Sequence, residues 1–120
     1  MSFVHKELAA GRWFELDLVE QLANVGSEVE RTIRGRETGR REYSDRAFER
    51  AMELLGLTIA DPKNRGRLRE VCRAQELLAD YFFGNNQYGT DDGFWRRYFL
   101  GFAWCAQLRR HNAARAAARP

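Results

Sequence analysis

Apolar residues recur every three or four positions along most of the chain, the period of helices that each bury one stripe. Leu18, Leu22, Val25, Val29 and Ile33 form the first stripe, flanked by Val19, while Glu20, Glu28, Glu30, Arg31 and Arg34 fall largely on the other side. This predicts a helix over about 15–34, followed by a polar turn from Gly35 to Gly39. A second helix, about 40–59, is expected to bury Ala47, Phe48, Ala51, Leu54, Leu55 and Thr58. Asp61-Pro62 supplies an N-cap and a first-turn proline for a third helix, 62–83, with Leu68, Val71, Cys72, Gln75, Leu78 and Phe82 in its stripe. Gly84 to Gly89 breaks that pattern. Thr90 is expected to cap a fourth helix, 91–110, whose first turn holds Asp91 and Asp92, the sign the dipole favours. No segment alternates with a period of two. The expected fold is all-α: one domain, 1–120, forming an antiparallel up-down-up-down four-helix bundle. A short N-terminal arm (Phe3, Val4, Leu8, Trp13, Phe14) precedes it. The tail from His111 to Pro120, with nothing apolar to bury, is expected to fray.

The chain has 120 residues, 44% hydrophobic and 31% charged. No apolar run approaches the ~18–20 residues that span a bilayer, and the N-terminus lacks a secretory stretch, so a cytoplasmic, membrane-free protein is expected. Cys72 and Cys105 stand far apart without a second pair, which excludes a zinc knuckle or disulfide scaffold and predicts two small buried side chains. No metal or cofactor is expected. Net charge is +3, but residues 1–61 carry −3 and residues 62–120 carry +6. Of 20 cations, 18 are arginine, whose guanidinium fork suits phosphate.

Mapped onto the expected topology, the arginines gather at two ends. One end collects Lys63, Arg65, Arg67 and Arg69 with Arg109, Arg110 and His111, and near them Arg115, Arg119, Lys6 and Arg12. The other collects Arg31, Arg34, Arg36, Arg40 and Arg41, with Glu30, Glu37 and Glu42 expected to screen them. Solvation explains many helix-end cations, and the dipole alone accounts for Arg109 and Arg110. The Lys63–Arg69 cluster differs because it sits at an expected helix start, where free N–H groups would add to anion binding. That end is therefore the first candidate for a nucleic-acid contact and the arginines around the 35–39 turn the second. Asp80 is placed to pair with an arginine of its own end.

The fourth helix holds Phe94, Trp95, Tyr98, Phe99, Phe102 and Trp104. Trp95, Tyr98, Phe99, Phe102 and Ala106 fill one face, whereas Phe94 and Trp104 fall off it. Phe94, Trp95 and Trp104 are the candidate homo-oligomer contact. Gly26 and Gly101 each mark an expected close helix approach.

Catalytic patterns are missing. There is no Glu-x-x-His pair for a di-iron site, no phosphate-binding glycine motif, and no arginine separated from His111 by four to six residues as in HEPN-type ribonucleases, those positions being Ala106, Cys105 and Trp104. No enzymatic activity is expected. In length, four helices, basic charge, and the segments Arg46-Ala47-Phe48-Glu49-Arg50-Ala51 and Arg67-Leu68-Arg69-Glu70-Val71, the chain resembles one four-helix-bundle family. It comprises the proteins of 23S rRNA intervening sequences and the accessory variability proteins of diversity-generating retroelements. The resemblance covers most of 15–110 and implies a basic homo-oligomeric barrel, commonly a pentamer, that binds a reverse transcriptase and its template RNA. The expected function is thus an RNA-binding adaptor. A protein-only interaction subunit using the aromatic fourth helix, or a small toxin-like nuclease, are the alternatives.

Overall fold

The structure is a computed structural model and describes residues 11–118. Lys6, His5, Arg119 and most of the expected arm lie outside the described residues. The described part is all-helical, with four α-helices: α1 (Leu18–Glu37), α2 (Arg41–Ala60), α3 (Leu68–Phe82) and α4 (Asp92–Ala117). Short 3-10 turns at Arg12–Glu15 and Pro62–Arg67 precede α1 and α3.

Helix α1 begins where Asp17 accepts a hydrogen bond from the Glu20 N–H at 2.9 Å. It runs three residues past the expected end, because Gly35 is part of the helix rather than of the turn. A Cβ on Gly35 would lie 2.7 Å from Ser44 Cβ and 2.9 Å from the Ser44 backbone nitrogen, so only glycine lets α2 start this close. Gly39, at φ 70°, then makes the turn. Every residue expected to be buried in α2 is buried, as are Leu22, Val25, Val29 and Ile33 of α1.

α1 packs against both α2 and α4, and α2 packs against α3. Ser44 Oγ, early in α2, donates to the Thr32 carbonyl at 2.7 Å, and Phe48 packs at a tilt against Phe82 at the end of α3. Tyr81 donates to Asp92 at the start of α4 at 2.7 Å. Arg96 meets Glu30 and Glu37 late in α1, and Arg109 meets Asp17 just before it. Trp95 and Phe99 bring α4 into the core.

The third helix differs from the expected single run of 62–83. Asp61 caps a start as expected, but the first turn is 3-10. The cause is a buried polar network at this corner. Gln21 donates to the Trp13 carbonyl (3.1 Å) and to Asp61 (2.9 Å), and Asn64 donates to Gln21 (2.8 Å) and to the Thr58 carbonyl (3.0 Å). Trp13 Nε1 donates to Thr58 Oγ1 at 3.1 Å. Buried polar groups need partners, and the tighter turn brings Asn64 inward to them.

Four further expectations are corrected. Asp91, not Thr90, caps α4, accepting from the Phe94 N–H at 2.7 Å, while Thr90 Oγ1 accepts from Trp95 Nε1. The tail does not fray within the described residues: α4 continues to Ala117, carried by alanine and arginine, both strong helix formers. Cys72 and Cys105 are exposed, since each falls on the outer side of its helix. Gly26 marks a close approach, with Phe99 Cβ 2.7 Å from its virtual Cβ, but Gly101 faces open space.

Candidate nucleic-acid interface

At the Lys63 end, most cations are already engaged. Lys63 Nζ donates to the Phe14 carbonyl at 2.9 Å and to the Asp61 carboxylate. Arg67 binds Glu70 through two nitrogens, at 2.8 and 2.5 Å. Arg109 pairs with Asp17. Arg65, Arg69 and Arg110 make no ion pair with a described residue. Since Phe14 and Asp17 are near neighbours, the structure does bring Lys63 and Arg109 to one end, as expected.

It does not supply the expected anion seat. The buried Asp61 carboxylate already accepts from the Lys63 N–H and ammonium, so the chain's own anion occupies that helix start. Burial pushes Asp61 up, but the hydrogen bonds from Lys63 and Gln21 outweigh it and hold the carboxyl below its ordinary range.

The other end is electrostatically more open than expected. Arg96 of α4 draws Glu30 onto two nitrogens at 3.0 Å and reaches Glu37 at 3.1 Å. The hydrogen bond from Arg96 is the main reason the Glu30 carboxyl sits below its usual range. Glu42 forms an ion pair with Arg46, at 3.8 Å. Arg31 and Arg34 are paired, with Glu28 (2.7 Å) and Glu30 (3.3 Å). Arg36, Arg40 and Arg41, however, make no ion pair with a described residue. Arg36 lies 5.3 Å from the Phe82 ring centre and 5.6 Å from that of Tyr81, and Arg40 lies 4.6 Å from that of Tyr43. The expected glutamate screen therefore fails for these three, because two of its three members are held across the molecule by Arg96.

Arg36 and Arg41 border a cleft of about 610 Å³ between the end of α1, the start of α2 and the end of α3. Arg36, Arg41, Ser44, Asp45, Phe82 and Phe83 are among its walls. Phe83 is 62% exposed and packs on Phe48 at 4.7 Å, leaving much of its ring free. Tyr81, behind Arg36, is pushed up to about 12 by burial and by its bond to Asp92, so it stays a neutral donor. Asp80 does not pair with an arginine. It accepts from the Gln87 and Tyr88 N–H groups at 2.9 and 3.2 Å and braces the loop before α4.

Of the candidate oligomer contacts, Trp95 is 1% exposed and belongs to the core, whereas Phe94 and Trp104 reach the surface. Trp104 is 61% and Leu100 65% exposed, with Leu108 on the same outer side. Sequence reasoning missed Arg96 and Phe83. The Arg96 pairs span 59 and 66 residues, beyond any within-helix pattern, and Phe83 was read only as a helix end. Among the described residues no group of three His, Cys, Asp or Glu is placed to hold a metal ion, and no helix is long and apolar enough to cross a membrane. No protein-family model, curated protein or solved structure matches the chain.

Proposed function

We propose that the protein is a non-enzymatic, oligomeric adaptor that holds RNA through its arginine-bearing ends, and that its helices form an antiparallel up-down-up-down bundle. The ties of α1 to α2 and α4, of α2 to α3 and of α3 to α4 each join the start of one helix to the end of another, which favours that topology. The observation that carries the RNA reading is the trio Arg36, Arg40 and Arg41. None of the three has a carboxylate partner among the described residues, and Arg36 and Arg41 line an open cleft with an exposed aromatic ring. Phosphates would meet the guanidinium groups, and an unpaired base would stack on Phe83. This moves the weight from the Lys63 end, the first candidate on sequence, to the α1–α2 turn. The family the sequence resembles extends the reading to a structured template RNA, a reverse transcriptase as partner, a pentameric assembly and a cytoplasmic setting.

A salt titration tests it. Wild-type protein should bind single-stranded RNA in a salt-dependent manner. Arg36→Gln with Arg41→Gln should flatten the log–log slope by about 1.4, at ~0.7 per single-strand phosphate contact. Arg65→Gln with Arg69→Gln should cost less, with melting temperatures of both variants near wild type. No salt-dependent complex overturns the reading, and a greater loss at Arg65 and Arg69 moves it back to the other end. A protein-only subunit is the second reading, favoured by one observation: the outward Leu100 and Trp104 of α4.

A further inference from the structure

We propose that the cleft at the α1–α2 turn selects guanine, with the Asp45 carboxylate accepting from two adjacent donors of the base while the ring lies on Phe83. The inference rests on the cleft being where single-stranded RNA is held, and it names the base that is read there. Asp17, Asp61, Asp80, Asp91 and Asp92 all accept hydrogen bonds from the chain itself. Asp45 differs. Its carboxylate, half-buried in the wall of the cleft, has no hydrogen bond or ion pair with any described residue. Arg41 lines the same cleft one turn earlier on α2, yet the two do not pair. A carboxylate left in this state repels phosphate, so what it offers a ligand is the acceptance of hydrogen bonds.

The hydroxyl groups of the wall are already committed. Ser44 Oγ donates to the Thr32 carbonyl and Thr32 Oγ1 to the Glu28 carbonyl, so neither has a proton left for a base. The cleft, at about 610 Å³, has room for a nucleotide. Guanidinium groups take phosphate and an aromatic ring takes the face of a base, and both are indifferent to sequence. The carboxylate is not. Its two oxygens match two neighbouring N–H donors, and guanine presents such a pair on its Watson–Crick edge, N1–H and the N2 amine. Adenine and cytosine each present one amine beside a bare ring nitrogen, whose lone pair would face the second oxygen. Uracil presents a single N3–H between two carbonyls. The negative charge of Asp45 strengthens both bonds to guanine.

Four labelled single-stranded RNAs of about eight nucleotides test this, all uridine except for a central guanosine, adenosine, inosine or uridine. The guanosine oligomer should bind on the order of tenfold more tightly than the adenosine one, since both purines stack but only guanine pairs with both oxygens. Inosine, which lacks only the N2 amine, should lose most of that advantage, and this comparison needs no variant. Asp45→Asn should abolish the preference while binding the all-uridine oligomer as well as wild type or better, because a charge that repels phosphate has gone. Its melting temperature should match wild type. Phe83→Ala, at an exposed position, should weaken the guanosine and adenosine oligomers together. Equal wild-type affinity for guanosine and adenosine, or a preference that survives Asp45→Asn, overturns the proposal and leaves single-strand binding standing. Guanosine monophosphate alone separates the converse case. If it binds in an Asp45-dependent manner while no oligomer shows salt-dependent binding, guanine selection stands and the RNA reading falls. Binding of neither overturns both.

Discussion

Asp61 carries its negative charge almost wholly out of water, held by Lys63 and Gln21. Its folded pKa lies below the ordinary 3.8, so the native state binds this proton less readily than the unfolded chain does. The stability this provides is complete above about pH 4 and drains away as pH falls through the lower, folded value. Asp61→Asn should therefore destabilise the protein at pH 7 by about 1–3 kcal/mol, because Lys63 and Gln21 lose a charged acceptor. The deficit should shrink toward pH 3. Urea denaturation at the two pH values checks it, and a constant deficit would show that shape and not charge sets the cost.

At the level of elements, the helices register their contacts through glycine. Gly26→Ala would press a methyl group against Phe99 Cβ and should cost about 1–3 kcal/mol. Gly101→Ala enters open space within a helix and should stabilise by up to about 1 kcal/mol. Thermal melts of the pair give opposite signs if α1 and α4 meet as described. Both glycines look alike in the sequence, since each interrupts an amphipathic run. What separates them is the partner helix, which no local period records. The stripes of α1 and α2 were legible because burial on one face leaves a 3.6-residue trace. The 3-10 turn at Pro62–Arg67 was not, because it follows from Asn64 bonding to Gln21, 43 residues away. The extension of α4 was misjudged because burial was taken as the condition for helix, where propensity alone sufficed.

For the whole molecule, charge and assembly govern what the surface can do. The gathering of Lys63 and Arg109 at one end followed from topology and was legible. The relative openness of the two ends was not, because it turns on Arg96 drawing Glu37 away and sharing Glu30 with Arg34. Assembly has its own test. If the outer side of α4 joins copies, Trp104→Ala should cost ~2 kcal/mol at the contact and shift sedimentation toward the monomer. A wild-type protein that sediments as a monomer at tens of micromolar would remove that role. The placement of the three tryptophans has a spectroscopic consequence. Trp13 and Trp95 are sealed in the interior, while Trp104 stands in solvent. The chain thus contains its own optical labels. Blue-shifted emission inaccessible to iodide reports the integrity of the core, and the red-shifted, quenchable fraction reports what is bound along α4, with no dye attached.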